Sequence, residues 1–193
     1  MLETFITSKI RREILAKFLL VPKASYHIRD LGRLVGTEIN AVRRELIHLD
    51  KAGFLKKRHS GNRLYYEISR DFILFNELIK IFAFDYGFGK TLIKNKEKLG
   101  RTRFALISLE FLKGRVSNSS QIDLLIVGNI NQTVLEPIII AEQGRLEHEL
   151  NYMMLTEAEF NFQKKRRDPL LMGTLGQARL ILWGDEQKYC GLV

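Results

Sequence analysis

The chain has 193 residues, 46% of them hydrophobic and 10% aromatic, which is typical of a folded soluble protein with one large domain or two small ones. Its longest apolar runs, such as 138–141 and 122–127 with its internal Asp123, are far shorter than the roughly 20 residues that a membrane-spanning helix needs. The first residues lack the pattern of a secretory signal, and the single Cys190 excludes an internal disulfide, so we expect a cytoplasmic protein.

The net charge of +9 lies entirely in the first half of the chain. Residues 1–100 contain 20 Lys and Arg against 11 Asp and Glu, whereas residues 101–193 contain 11 of each. A basic module followed by a neutral one indicates that the first half binds a polyanion and the second half has another role. The alternative interpretation of the charge is a surface that only keeps the protein in solution.

Three helices are predicted near the start of the chain from apolar residues spaced three or four apart. The first covers 8–20 and ends at Val21-Pro22. The second follows Ser25, a residue type that caps helices, and stops at Gly36. Thr37 is expected to cap a third helix, which Gly53 closes. The apolar face of this third helix consists of Ile39, Val42, Leu46 and Leu49.

After the third helix the apolar period changes to two, which is typical of β-strands. The segments 54–59 and 63–68 flank the short sequence Ser60-Gly61-Asn62, so we predict a β-hairpin with a Gly-Asn tip. A helix is predicted next over 71–84 and a more polar one over 90–99.

From Arg103 onwards, strand and helix patterns alternate, which indicates an α/β arrangement. The segment 136–147 is helical or partly strand-like, and Thr156 with Glu159 forms a capping-box pattern that opens a later helix. The strands are predicted at 104–107, 122–127, 149–155 and 180–184.

The order helix, helix, tight turn, helix and basic hairpin is that of a winged helix-turn-helix domain, which binds double-stranded DNA. Arg43 and Arg44 are the best candidates for reading bases, because a guanidinium can bridge two acceptors of guanine. The DNA-facing residues expected on the third helix are Asn40, Arg43, Arg44 and His48. The phosphate contacts expected at the start of the second helix are Ser25, Tyr26 and Arg29.

The hairpin is expected to act as a wing that lies along the DNA backbone or reaches into the minor groove. A charged hairpin that only faces solvent is the alternative, which the position directly after a helix-turn-helix disfavours. The wing residues are Lys56, Lys57, Arg58, His59 and Arg63.

Several short segments match one known class of regulator: Arg11, Glu13, Ile14 and Leu15; Ile28 to Leu31; Asn40 to Leu46; Leu49; Ala52-Gly53; and Gly61 to Tyr66. Through them, residues 8 to about 70 resemble the ArsR-type winged-helix regulators. The resemblance implies a homodimer formed through flanking helices. The candidate stripe is Phe72, Phe75 and Phe82, with packing against its own domain as the alternative.

Metal sensing, which some ArsR-type members perform, is not expected of this chain. The domain contains no cysteine, and its histidines do not have the spacing of metal ligands. These histidines are His27, His48 and His59. We expect no metal and no cofactor in this half of the chain.

The segment from Phe104 to Gly128 resembles the nucleotidyltransferase fold, which is often fused behind such winged helices. Further matching pieces are Asn151-Tyr152, Leu155-Thr156, Glu159-Phe160, Asp168 to Leu170 and Ile181 to Glu186. Active members carry a Gly-Ser turn, then Arg-Gly, then two aspartates one residue apart. With a third carboxylate, these aspartates hold two magnesium ions at the transferred phosphate.

This chain departs from that pattern. Leu109-Glu110 replaces Gly-Ser, and Lys113-Gly114 replaces Arg-Gly. Gln121 stands at the first aspartate position and Asn151 at the third carboxylate, so only Asp123 remains. A neutral amide oxygen does not offset the charge of two dications, so we expect Asp123 to be vestigial, with no catalytic residue, cofactor or metal.

The resulting prediction is an α+β chain with three parts: a winged helix DNA-binding domain at 1–70, a helical connector at 71–100, and a nucleotidyltransferase-like domain with a mixed sheet at 101–193. Its expected function is sequence-specific binding of double-stranded DNA as a dimeric transcriptional regulator. The alternatives are an active nucleotidyltransferase that modifies protein or RNA, and an antitoxin-like partner of another protein. The basic run 164–167 is interpreted as a solvated loop, or else as a further contact with DNA.

Overall fold

The computed structural model describes residues 1–21, 24–118, 120–146 and 148–191. The chain divides into two compact units, Met1–Asp85 and Tyr86–Val193, and each has its own β-sheet. The fold class, mixed α and β, is confirmed. No helix within the described ranges is long and apolar enough to cross a membrane.

Within its described residues, the first unit contains a short 3-10 helix and four α-helices. The 3-10 helix is Leu2–Thr4, and the α-helices are α1 Lys9–Leu20, α2 Ile28–Val35, α3 Ile39–Lys51 and α4 Phe75–Asp85. Helix α1 agrees with its prediction, and its N-cap is Ser8, whose hydroxyl accepts a hydrogen bond from the backbone N–H of Arg11 at 3.2 Å. Pro22, which was expected to end this helix, lies outside the described residues.

Two predicted helix caps are wrong. Ser25 does not cap α2, because it belongs to a three-residue strand, β1 Ser25–His27. The α2 cap is His27, whose ring nitrogen Nδ1 accepts from the N–H of Arg29 at 3.3 Å. Thr37 does not cap α3 either, since the helix begins after Glu38, which makes no side-chain capping bond.

The predicted hairpin is confirmed. Strand β2 is Leu55–Ser60 and strand β3 is Arg63–Ile68, and they pair antiparallel with Ser60 opposite Arg63, so that Gly61 and Asn62 form the turn. The short strand β1 pairs with the other edge of β3, which gives the order β1-β3-β2.

Helix α4 begins four residues later than predicted and packs within the first unit. Phe75 and Phe82 are buried, and the ring of Phe72 contacts that of Phe54 edge to face, at 5.6 Å between centroids. These rings therefore pack against their own unit, and the stripe proposed for dimerisation is not exposed. They join a core that also contains Ile14, Phe18, Leu31, Val42, Leu46 and Ile79.

The second unit is built on a four-stranded mixed sheet with the order β6-β5-β4-β7. Strands β4 and β5 are antiparallel, as are β4 and β7, whereas β5 and β6 are parallel. The strands are β4 Gly100–Ser108, β5 Leu124–Ile130, β6 Tyr152–Leu155 and β7 Arg179–Trp183. The helices are α5 Gly87–Asn95, α6 Leu109–Leu112, α7 Gln132–Leu146, α8 Glu157–Lys165, α9 Pro169–Gly176 and α10 Glu186–Cys190.

Local sequence signals account for several of these elements. The segment 136–147, which the sequence predicted as helical or partly strand-like, is helical up to Leu146, where α7 ends. Glu147 lies outside the described residues. The capping box at the start of α8 is confirmed: the Thr156 hydroxyl accepts from the N–H of Glu159 at 3.2 Å, and the Glu159 carboxylate accepts from the N–H of Thr156 at 2.8 Å. The basic run at 164–167 is not wholly a loop, because Lys164 and Lys165 belong to α8.

Candidate nucleic-acid interface

Helix α3 presents one polar and cationic face to solvent. Val42, Leu46 and Leu49 are buried in the first unit, and the 3.6-residue period therefore turns the other side of the helix outwards. Two rows with a spacing of four lie on this exposed side: Asn40, Arg44 and His48 form one, and Ile39, Arg43 and Ile47 form the other. All four residues of α3 that were predicted to face DNA are thus exposed on a single helix face.

Ile39 was predicted on the apolar face of α3 with Val42, Leu46 and Leu49, but unlike them it is not buried. Its side chain is 43% exposed, and that of Ile47 is 40% exposed. Ile39 is the first residue of α3, three residues after the left-handed Gly36, and its side chain lies near Gly32 of α2. Both isoleucines therefore add apolar contact area to the cationic face, which sequence reasoning missed.

An open pocket with a volume of about 630 Å³ lies between α2 and the start of α3. Arg29 lines it, so this predicted phosphate-contacting residue is exposed beside α3. Arg33 also lines it, four residues further along α2, and its only ion pair in the described structure is a 3.7 Å contact with Asp30. The spacing of four from Arg29 is the sequence signal that would have identified Arg33.

Ser25 and Tyr26 do not lie at the start of α2, where phosphate contacts were expected. Both belong to β1, and the Tyr26 ring packs edge to face on Phe18, at 5.3 Å between centroids. Burial raises the pKa of the Tyr26 hydroxyl. The Ser25 hydroxyl oxygen is buried and has no hydrogen-bond partner among the described residues.

The outer face of the hairpin carries Lys56 and Arg58, whose charges are partly balanced by one carboxylate. Glu67 lies 3.5 Å from the Lys56 ammonium and 3.7 Å from the Arg58 guanidinium. The guanidinium of Arg58 also lies over the ring of Tyr65, its partner on β3, at 5.7 Å from the centroid. These contacts hold both cations near the sheet and leave them accessible at its surface.

Lys57 points to the opposite face of the hairpin. Its ammonium donates to the Asp50 carboxylate at 2.5 Å, which links β2 to α3 and raises the pKa of Lys57. His59 and Arg63 lie nearer the turn, are exposed, and make no ion pair in the part of the chain that the structure describes. The five predicted wing residues therefore differ: Arg63 is unpaired, whereas Lys57 already has a carboxylate partner.

In the second unit, Asp123 is enclosed and hydrogen-bonded. Its side chain is 1% exposed, and its carboxylate accepts from the hydroxyl of Ser117 and from the backbone N–H of Asn151, the latter at 3.0 Å. Burial raises the pKa of the Asp123 carboxyl, although both hydrogen bonds oppose this. The carboxylate thus connects the loop before β5 with the chain leading into β6.

Other residues at positions of the nucleotidyltransferase pattern also make hydrogen bonds or ion pairs within the unit. The Asn151 amide donates to the carbonyls of Asn118 at 2.8 Å and Gln121 at 3.1 Å. Glu110 lies 3.1 Å from the Lys113 ammonium and 2.5 Å from the Arg115 guanidinium. Over the described ranges, no three His, Cys, Asp or Glu side chains are grouped so as to hold a metal ion.

Comparison with known proteins finds no matching protein-family model and no matching curated protein. Among solved structures, human N-acetylserotonin methyltransferase in complex with SAM is similar over 52% of this chain, with 10% sequence identity and a TM-score of 0.31. The chain spans 33% of the length of that structure. A similarity this low does not indicate a shared fold or function.

Proposed function

We propose that this protein is a sequence-specific, double-stranded DNA-binding transcriptional regulator, and that its first unit is a winged helix-turn-helix domain. The observation that carries the proposal is the exposed face of α3. Arg43 and Arg44 are exposed on it and make no ion pair among the described residues, so both guanidinium groups are available to an anionic partner.

The chemistry of this face suits the edges of base pairs in the major groove. A guanidinium donates two hydrogen bonds to guanine, and the Asn40 amide can pair with adenine in the same bidentate way. Ile39 and Ile47 add apolar groups of the kind that contact thymine methyls. A helix that displays donors and apolar groups in alternation can discriminate between base pairs, which a uniformly cationic helix does not.

The remaining cations fit the phosphate backbone on either side of α3. Arg29 and Arg33 lie on α2, and Arg58 and Arg63 lie on the hairpin. Such contacts add affinity that falls as salt rises, because bound phosphates release their counterions.

We propose further that the second unit is a nucleotidyltransferase-like domain that does not transfer nucleotides. The Asp123 carboxylate accepts two hydrogen bonds inside the unit, and Asn151 and Gln121 contribute amides rather than carboxylates. Transfer of a labelled nucleotide by the full chain with magnesium, lost in Asp123→Ala, would contradict this part of the proposal.

Dimerisation is part of the proposal and is assigned to the outer side of α4 and the residues just before it. Ile73 is 87% exposed, Leu74 51% and Ile81 43%, so large apolar side chains face solvent there. Leu74, Leu78 and Ile81 follow a helical spacing, which gives a stripe that a second copy of the chain can cover.

The decisive experiment is selection of bound sequences from random duplex DNA, followed by fluorescence anisotropy with the selected site. The double variant Arg43→Ala/Arg44→Ala is expected to lose about tenfold or more in affinity and to lose its preference for the selected site. The control, Lys94→Ala/Lys98→Ala, removes the same charge from exposed positions of the second unit and should retain the preference. Failure to bind any duplex at low salt would refute the proposal.

A further inference from the structure

The end of α8 in the second unit carries an exposed aromatic ring. Phe162 is 60% exposed on the surface of this helix. The guanidinium of Arg166, four residues later, lies over its ring at 5.0 Å from the centroid. A cation–π contact between an exposed phenylalanine and an arginine adds little stability in water. The ring nevertheless offers a flat surface on which a further planar group can stack.

Three cations follow Phe162 within five residues along the chain and have no ionic partner among the described residues. Lys165, Arg166 and Arg167 are exposed and make no ion pair in the described structure. Among the other cations of the second unit, the described residues give no ion pair for Lys90, Lys94, Lys96, Lys98 and Arg101, Lys164 bonds to carbonyls, and six are ion-paired within 4 Å of a carboxylate. These six are Arg103, Lys113, Arg115, Arg145, Arg179 and Lys188.

Lys164 has a different role from its neighbours. It is buried, and its ammonium donates to the backbone carbonyls of Lys188 at 3.3 Å and Tyr189 at 2.9 Å. These two hydrogen bonds hold the last turn of α8 against α10. The α8 patch, defined as Phe162, Lys165, Arg166 and Arg167, is therefore held on a rigid element.

The backbone of Arg167 adds an independent observation. The helix ends in a Schellman motif. The N–H of Arg167 donates to the backbone carbonyl of Lys164 at 3.1 Å, and the N–H of Asp168 donates to the backbone carbonyl of Gln163 at 3.0 Å. This motif requires a left-handed residue, usually glycine, and Arg167 adopts it with φ of 55°. Among the described residues no other non-glycine has a positive φ. A cationic side chain is thus kept where a glycine would be more stable.

We propose that the α8 patch binds single-stranded nucleic acid. An unpaired base stacks on the outer face of Phe162, and the adjoining phosphates contact Lys165, Arg166 and Arg167. Stacking on aromatic rings combined with a cationic track is the recognition mode of single strands, and it tolerates different bases because every base has a flat face. A duplex suits the patch less well, because its base faces are covered by their neighbours and only its phosphates remain accessible.

The test uses the full chain in the Arg43→Ala/Arg44→Ala background, which removes the proposed duplex-reading residues. Anisotropy is measured with labelled dT12, rU12 and a closed hairpin duplex. Loss of the Phe162 ring is expected to weaken binding of the single strands more than binding of the duplex, because the first unit keeps the cations proposed to contact duplex phosphates. The two single strands show whether the patch prefers DNA or RNA. Phe162→Ala should weaken single-strand binding by about tenfold to a hundredfold, and Phe162→Tyr should restore it.

Two further variants separate binding from folding. Phe162→Trp should show fluorescence quenching on addition of dT12, as a stacked ring does and a merely structural one does not. Arg167→Gly should weaken single-strand binding while raising the melting temperature by roughly 2–4 °C, because it relieves the left-handed strain. The control Lys94→Ala/Lys98→Ala leaves the patch intact and should change single-strand affinity far less than Phe162→Ala.

Several results would overturn this inference. Equal affinity for dT12 and rU12 with and without Phe162→Ala in the Arg43→Ala/Arg44→Ala background would do so, as would a loss of affinity in Phe162→Ala that is as large for the hairpin duplex as for the single strands. Binding to vesicles containing phosphatidylserine, lost in Phe162→Ala with no loss of oligonucleotide binding, would assign the patch to a membrane surface instead. Each comparison is between variants that share the same first unit, so duplex binding by that unit does not decide the outcome and the two proposals fail separately.

Discussion

Asp123 is buried and its carboxylate joins two loops of the second unit. In the nucleotidyltransferase pattern that the sequence resembles, this position is one of a set of carboxylates. The Asp123 carboxylate accepts hydrogen bonds from the Ser117 hydroxyl and the Asn151 N–H inside the unit. A buried charge without a cation is costly, which is why burial raises the pKa of this group. Asp123 is therefore a structural connection between two loops.

This interpretation predicts the pH dependence of stability. Because the folded-state pKa of Asp123 is raised, its contribution to the unfolding free energy is fully present below the ordinary carboxyl pKa and is lost as pH rises through the folded value. Asp123→Asn stays neutral, so this loss should disappear, and at neutral pH the variant should be at least as stable as the wild type.

Urea denaturation at several pH values measures the effect. Asp123→Ala serves as the contrast, since it leaves the Asn151 N–H and the Ser117 hydroxyl without their acceptor and should cost about 1–3 kcal/mol. A large destabilisation by Asp123→Asn at neutral pH would show instead that the ionised carboxylate is required.

At the scale of elements, the hairpin combines cations that are available with cations that are already paired. Lys57 is held by Asp50 of α3, whereas Arg63, near the turn, has no ionic partner among the described residues. Both were predicted as equivalent wing residues, since a sequence pattern counts charges and does not show their partners.

The two residues should therefore affect DNA binding unequally. Arg63→Ala is expected to reduce duplex affinity and to lower the slope of log affinity against log salt by about 1, as for one lost phosphate contact. Lys57→Ala should have a smaller effect, because the Asp50 carboxylate already offsets its charge. Salt titrations followed by anisotropy measure both, and an equal slope change for the two variants would contradict the assignment.

Helix α4 illustrates the same point for apolar residues. The sequence suggested that its phenylalanines form a stripe for a second copy, with packing within the unit as the alternative. Phe75 and Phe82 are buried, and the exposed apolar residues are the aliphatic Leu74 and Ile81. A helix with apolar residues on two sides buries one side in its own core, and only the tertiary packing shows which side that is.

At the scale of the whole molecule, the proposed function requires two copies on one DNA site. If the outer side of α4 is the dimer surface, Leu74→Glu/Ile81→Glu should convert the dimer to a monomer, because two charges would be buried at the interface. Affinity for a site with two half-sites should fall by about a hundredfold or more. In a dimer, binding of one subunit holds the other close to the second half-site, and a monomer lacks this effect.

Sedimentation velocity measures the first effect and anisotropy the second. Ile140→Glu changes another exposed apolar residue, in α7, and is the control, expected to leave the dimer intact. A wild-type chain that remains monomeric at micromolar concentrations would contradict the dimer assignment.

Several elements were predictable because the chemistry that forms them is local. The left-handed Gly36 ends α2, Gly61 and Asn62 turn the hairpin, and Thr156 with Glu159 starts α8. Each signal acts through neighbouring backbone groups, so it can be recognised without knowledge of the rest of the fold. The amphipathic period of α3 likewise predicted which of its polar residues face outwards.

Tertiary structure decided whatever depends on a distant partner. Strand β1 has only three residues and exists through pairing with β3, forty residues later, which is why a helix start was predicted there instead. The enclosure of Asp123 and the pairing of Lys57 also depend on groups supplied by other elements. Sequence by itself determined the order of the elements and the character of their faces. Only the folded chain determined which charges remain free to act, because pairing is set by distances between segments that the sequence does not contain.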